Sequence, residues 1–220
     1  MDITPLHVPL WVELIAAGLG GLQGAMFAAG VKDRRIDVLG VIVIGVGVSL
    51  GGSLLRDIVL NQQPIVVWSN WYVPVASACA VIGMALQPLF VRATWVITVL
   101  DAVVMGLFGA IGATKALSLG VGEVGALLVG VVGAIGGSLV RDLLLGIPVA
   151  FLQVGSLYAV AAAAGSAILI VLAALGTPVP IAGLVGVLVT TVVRLGAVRF
   201  DWTFPEQRPL RAPRRRARRA

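Results

Sequence analysis

Gly51-Gly52-Ser53-Leu54-Leu55-Arg56-Asp57 returns later in the chain as Gly136-Gly137-Ser138-Leu139-Val140-Arg141-Asp142, with six of the seven positions identical. The offset that carries position 51 onto 136 also pairs Gly21-Leu22 with Gly106-Leu107, Gly24-Ala25 with Gly109-Ala110, and Ala28 with Ala113. Agreement at this many positions in one register marks an internal duplication. What was duplicated depends on the residues around the motif.

Those surroundings are hydrocarbon. Of 220 residues, 59% are hydrophobic, 28 are glycine and only 12% are charged. A soluble domain carries roughly 45–50% apolar residues, glycine included, and about 25% charged ones. At a mean hydropathy of +1.06 there is too little polar surface to cover a core in water. This excludes a water-soluble globule, a disordered chain, a disulfide scaffold and a nucleic-acid-binding domain. The expected class is an all-α polytopic membrane protein.

A helix crosses the hydrocarbon core in about 20 apolar residues. Seven such runs are present, at about 8–30, 38–60, 72–91, 94–114, 122–146, 155–175 and 179–199. Alternating strands of about ten residues would mark a β-barrel, and these runs are longer and uniformly apolar. Lys32-Asp33-Arg34-Arg35, Asn61-Gln62-Gln63-Pro64 and Gly176-Thr177-Pro178 punctuate them. The expected organisation is one transmembrane domain over 1–207. Repeat one spans about 8–91, repeat two about 94–175, and a seventh helix about 179–199 follows. Each repeat holds three spans, an odd number, so the second copy crosses the membrane in the opposite sense. Inverted repeats of this kind build transporters and channels, with sites near the midplane at the repeat interface.

The charge divides unevenly. Of 16 Lys and Arg, seven lie in Arg208–Ala220, which leaves nine basic against ten acidic residues in 1–207. The tail reads as a disordered cytoplasmic end; contact with anionic lipid headgroups, at about 1 kcal/mol per Arg, is the functional alternative. Lys32, Arg34, Arg35, Arg92 and the tail fall on one side of a seven-span topology. The positive-inside rule makes that side cytoplasmic and puts the N-terminus outside. The absence of Lys or Arg before Lys32 argues against a cleavable signal peptide and for retention of the first span.

Glycine in a helix interior costs about 1 kcal/mol relative to Ala, and kinks sit at Gly/Ser pairs. A kink at Gly51-Gly52 and Gly136-Gly137 would free carbonyls, which at membrane depth must be buried in protein or line water. Freed carbonyls, with the hydroxyls of Ser53 and Ser138, are ligands for a dehydrated monovalent cation. The alternative is close helix packing through small-xxx-small spacing at Gly47/Gly51 and Gly133/Gly137. The symmetric duplication favours the kink.

Adjacent helical residues point about 100° apart, so Arg56 is not expected to pair with Asp57, nor Arg141 with Asp142. Counting depth along each span gives Glu13 to Arg56 and Asp101 to Arg141. Unpaired acids at such depth are costly. These pairs read first as structural locks, with direct solute contact as the alternative. Lys115 reads as a snorkelling interfacial residue, or as a mobile gate at an outer vestibule. Trp68, Trp71 and Tyr72 read as an interfacial aromatic belt, and Cys79, among small residues, as a buried filler. The single histidine, His7, precedes the first span, which gives no support to a His-based metal site or proton relay. No phosphate loop or nucleophile triad is present, so neither an enzyme nor a cofactor is expected.

The duplicated Gly-Gly-x-x-x-Arg-Asp element resembles the prokaryotic branch of the trimeric intracellular cation channels, also described as a glycine transporter family. Asp101 followed by Gly106-Leu107-Phe108-Gly109-Ala110 and Thr114-Lys115-Ala116-Leu117 adds to the resemblance, which covers nearly all of the first six spans. It implies two inverted three-helix repeats plus a seventh helix, and a homotrimer with a separate pore per protomer. It also implies conduction of K+ and Na+ between kinked second and fifth spans. Gly51, Gly52, Gly136 and Gly137 match the kink residues, and Arg56, Asp57, Arg141 and Asp142 the charged pair that follows. The family commonly has a third glycine where Ser53 and Ser138 stand here. A secondary transporter of glycine or another small neutral solute is the alternative reading. The absence of a carboxylate clamp at the level of the glycines favours cations.

Overall fold

The computed structural model describes residues 8–31, 36–90, 94–153 and 157–203. His7, the Lys32–Arg35 cluster, Arg92 and the Arg-rich tail lie outside the described residues. Eight α-helices are present among those described: α1 Leu10–Ala29, α2 Val38–Val59, α3 Ile65–Trp68, α4 Tyr72–Phe90, α5 Thr94–Ser118, α6 Glu123–Leu145, α7 Tyr158–Ala174 and α8 Val179–Arg199. A 3-10 turn occupies Ala150–Leu152. Six helices are long and apolar enough to cross a bilayer. The remaining expected span is α7, only 17 residues, or about 25 Å at 1.5 Å per residue. The protein is a polytopic helical membrane protein.

Local chemistry sets the ends of these helices. The Asp37 carboxylate accepts the Gly40 N–H at 2.7 Å and caps α2, satisfying one of the donors a helix start leaves open. Gly146 closes α6 in the left-handed conformation at φ 56°, where a side chain would be strained. Pro178 and Pro180 open α8, where a missing N–H costs nothing.

The repeats meet along α2 and α6, and reciprocity shows the two-fold relation. A Cβ on Gly51 would lie 3.1 Å from the Gly136 carbonyl oxygen, and one on Gly136 would lie 3.1 Å from that of Gly51. Gly52 faces the Gly133 carbonyl, and Gly137 faces the Val48 carbonyl. The repeat offset converts each of these contacts into its counterpart. The core repeats too. Ala28, Val41 and Ile44 in one cluster hold the places of Ala113, Ala126 and Val129 in another.

α8 breaks the symmetry. Gly21 of α1 packs on Ala76 of α4, whereas its counterpart Gly106 packs on Val187 of α8. α8 lies against both α5 and α7, held closely by Gly165 facing Gly186 and Thr190. Small residues at such crossings are what allow helix backbones to approach in lipid, where no hydrophobic force drives them together.

Candidate functional site

Both Gly-Gly-Ser segments lie inside continuous helices, α2 and α6. The glycines are buried in backbone-to-backbone contact between α2 and α6. The missing side chains let the two backbones approach closely. Ser53 Oγ donates to the Leu50 carbonyl at 2.9 Å and Ser138 Oγ to the Ile135 carbonyl at 2.8 Å. A hydroxyl whose proton is committed in this way offers its lone pairs outward.

Beyond each Gly-Gly-Ser lies a charged cluster. At the amino end of the bundle, where α1 begins, Arg56 Nε donates to Asp57 Oδ1 at 2.7 Å. At the far end, Arg141 Nε donates to Asp142 Oδ1 at 2.8 Å. The expectation that these neighbours do not pair is thus overturned. The angle between adjacent Cα–Cβ bonds does not bind a side chain as long as arginine, which folds back across the helix surface to the short, fixed aspartate. The other aspartate oxygen fastens the chain that follows: Asp57 Oδ2 accepts the Ile65 N–H at 3.1 Å, and Asp142 Oδ2 accepts the Ala150 N–H at 2.8 Å. These two amides are themselves related by the repeat offset.

The depth-matched acids stand farther off. Arg56 Nη1 lies 3.8 Å from Glu13 Oε1, and Arg141 Nη1 lies 3.6 Å from Asp101 Oδ1. A tyrosine holds each acid. The Tyr72 hydroxyl donates to Glu13 Oε2, and the Tyr158 hydroxyl donates to Asp101 Oδ1 at 3.2 Å. Tyr72 is only 2% exposed, so it belongs to this cluster and not to an interfacial belt. Its ring sits against Ala17, Leu50 and Ala76, because its hydroxyl is needed by a buried carboxylate. Trp68 and Trp71 are exposed. Cys79 is half-buried rather than buried, against Gly18 of α1.

Each cluster is completed by a further cation. Lys115 Nζ, from the end of α5, donates to Asp57 Oδ1 at 2.8 Å. At the far end Arg194 of α8 places Nη2 3.8 Å from Asp101 Oδ2 and stacks its guanidinium 4.6 Å from the Tyr158 ring centroid. Gln23 Nε2 donates to Asp101 Oδ1 at 3.1 Å, and the Arg141 guanidinium lies 4.0 Å from the Phe27 ring centroid. Asp101, Asp142, Arg141 and Arg194 all line one cavity of about 670 Å³.

Sequence reasoning does not mark Tyr72, Tyr158, Gln23 or Arg194 as site residues. Signals exist for three of them. Gln23 and Arg194 are polar groups within apolar runs, a mark of function in a membrane. Tyr158 follows Asp142 at nearly the interval at which Tyr72 follows Asp57.

The geometry ranks the two partners of Arg56. Glu13→Gln leaves Arg56 bonded to Asp57, so a loss of about 1–2 kcal/mol is expected, reduced from a midplane value by the helix-end position. Glu13→Gln with Arg56→Gln should recover part of it in detergent melting. Strictly additive losses would refute the coupling.

The chain matches the family described as glycine transporter twice, over residues 10–88 and 98–174, one match for each repeat. It is 28% identical over 200 residues to the UPF0126 inner membrane protein YadS of Escherichia coli K12, covering 89% of this chain and 94% of that one. A UPF0126 membrane protein of Deinococcus radiodurans is 31% identical over 170 residues, covering 76% and 78%. Among solved structures, one described as the structural basis for conductance through TRIC cation channels superposes with a TM-score of 0.79 at 25% identity, covering 94% of this chain and all of that one. The TRIC trimeric intracellular cation channel orthologue from Rhodobacter sphaeroides gives 0.76 at 28% identity, covering 87% and 97%.

Proposed function

The chain belongs to the glycine transporter family, and on that premise we propose that it is a passive channel for K+ and Na+, with a separate path in each protomer of a homotrimer. The observation that carries this reading is the mirrored pair of carboxylate clusters at the two ends of one glycine-closed seam between α2 and α6. A cation moving along that seam meets carboxylate oxygens at either end and serine lone pairs beside the glycines. In this reading the backbone contact of Gly51 and Gly52 with Gly136 and Gly137 is the closed constriction. Separation of α2 from α6 opens it. Lys115 on Asp57 is a latch at the amino-end mouth. The likeness to TRIC cation channels supports both conduction and the trimer. The basic residues of the 1–2 and 3–4 connections and of the tail make the far end cytoplasmic, with the N-terminus outside and the tail near anionic lipid.

A second reading has its own observation. The 670 Å³ cavity presents both carboxylates and guanidinia, as a zwitterion such as glycine would require, and transporters of this architecture bind solutes near a repeat interface. One experiment separates the two. Purified protein in a planar bilayer under a KCl gradient is expected to reverse near the K+ equilibrium potential. Proteoliposomes under an ion gradient are expected not to accumulate glycine. Reversal at the chloride potential, or glycine accumulation without current, overturns the channel reading.

A further inference from the structure

The duplicated Arg56-Asp57 and Arg141-Asp142 pairs are each neutral, and each is joined by one acid that the repeat offset does not pair, Glu13 at the amino end and Asp101 at the far end, so that each set of three holds two carboxylates and one guanidinium. Each set is therefore one negative charge in excess. The balancing cation is not part of the duplication at either end. The repeat offset carries Lys115 back to Gly30 and Arg194 back to Gly109. Two unrelated residues thus perform the same neutralisation, one from α5 and one from the helix that lies outside the repeats. Arg194 does so inside the cavity, 3.8 Å from Asp101. Its stacking on Tyr158 holds it over the carboxylate, and Tyr158 itself donates to Asp101.

We infer that Arg194 is a conductance-setting residue: it neutralises the Asp101 carboxylate in the far-end cavity and so limits how strongly that cavity concentrates cations. This rests on the channel reading above. A fixed charge at the wall of a narrow cavity acts on the local concentration of mobile ions, and the effect falls with ionic strength. With Arg194 removed, Asp101 and Asp142 outweigh Arg141, and the cavity becomes a cation well. A purely structural role for Arg194 has no such dependence on salt.

The test is single-channel recording of the full chain with Arg194→Gln, Arg194→Lys and the pair Asp101→Asn/Arg194→Gln, in 0.05 M and 1 M KCl. Arg194→Gln is expected to raise unitary K+ current from the cavity side about two- to four-fold in the dilute salt. That is the Boltzmann factor of one unit charge over roughly 5–10 Å of water. The gain is expected to vanish in the concentrated salt, where the screening length is about 3 Å. Arg194→Lys should keep the parent current, and the pair, again neutral, should return to it. Unchanged current in Arg194→Gln at low salt, or a change equal at both salts, overturns the inference and leaves the channel reading standing. Failure of both Arg194→Gln and the neutral pair to insert makes Arg194 structural and overturns it as well. A parent protein that carries no cation current overturns both.

Discussion

Gly52→Ala and Gly137→Ala are expected to unfold the α2–α6 seam, with a loss of stability at the upper end of the overpacking range of about 1–3 kcal/mol, and with loss of cation current. A methyl on Gly52 would overlap the Gly133 carbonyl oxygen, and one on Gly137 would lie 2.5 Å from the Val48 carbonyl oxygen. These are backbone atoms in the middle of hydrogen-bonded helices, so neither can yield alone; α2 and α6 must part as bodies. The neighbouring Gly51→Ala is the control. Its methyl meets the Val140 Cγ2 methyl at 2.8 Å, the end of a side chain, although the Gly136 carbonyl at 3.1 Å limits how much relief a rotation brings. Detergent melting should rank Gly52→Ala and Gly137→Ala together and below Gly51→Ala. Leucine at 52 or 137 should leave no folded protein that conducts. Equal melting of the Gly51 and Gly52 variants, with parent-like current, would show that the seam is not closed as described.

Asp57→Asn is expected to be the most damaging single change among the charged residues. Asp57 is fully buried and gathers Arg56, Lys115 and the Ile65 amide. Removing its charge strands two cations, one of them deeply buried, and breaking a buried pair in this way costs about 3–5 kcal/mol. Glu13, 3.8 Å from Arg56, offsets only part of that. Adding Lys115→Met to Asp57→Asn should restore part of the loss, with a coupling of about 0.5–3 kcal/mol in melting free energy. Additive losses would mean that Lys115 gains nothing from Asp57 and is no latch.

The Arg–Asp pairs also show why a rule of local geometry fails here. The angle between side-chain directions on a helix governs residues whose partners lie in solvent or on a facing helix. At Arg56 and Arg141 the acid on the facing helix stands 3.6–3.8 Å off, and the long arginine side chain reaches the neighbouring aspartate at hydrogen-bond distance instead. Tyr72 departs from its sequence reading for a related reason. Its place beside Trp68 and Trp71 in the chain makes it look interfacial, but the start of α4 turns its ring inward while the tryptophans face out.

The membrane-spanning helical class, the duplication and its inverted sense were legible in the chain. Apolar run length and a single repeat offset do not depend on which helix touches which, and an odd number of spans per repeat reverses direction by counting alone. Counting depth also brought Glu13 to the level of Arg56 and Asp101 to that of Arg141. Three features depend on azimuth and on contacts across helices, which a one-dimensional pattern does not encode. What Gly51, Gly52, Gly136 and Gly137 face was decided by the tertiary structure: each meets atoms of the facing helix, which a missing side chain permits but does not specify. Tyr72 and Tyr158 became ligands of buried acids because α4 and α7 present them to α1 and α5. Arg194 reached Asp101 because α8, which has no counterpart in the repeat, packs on α5 where symmetry would have placed another helix, and carries its charge into the cavity with it.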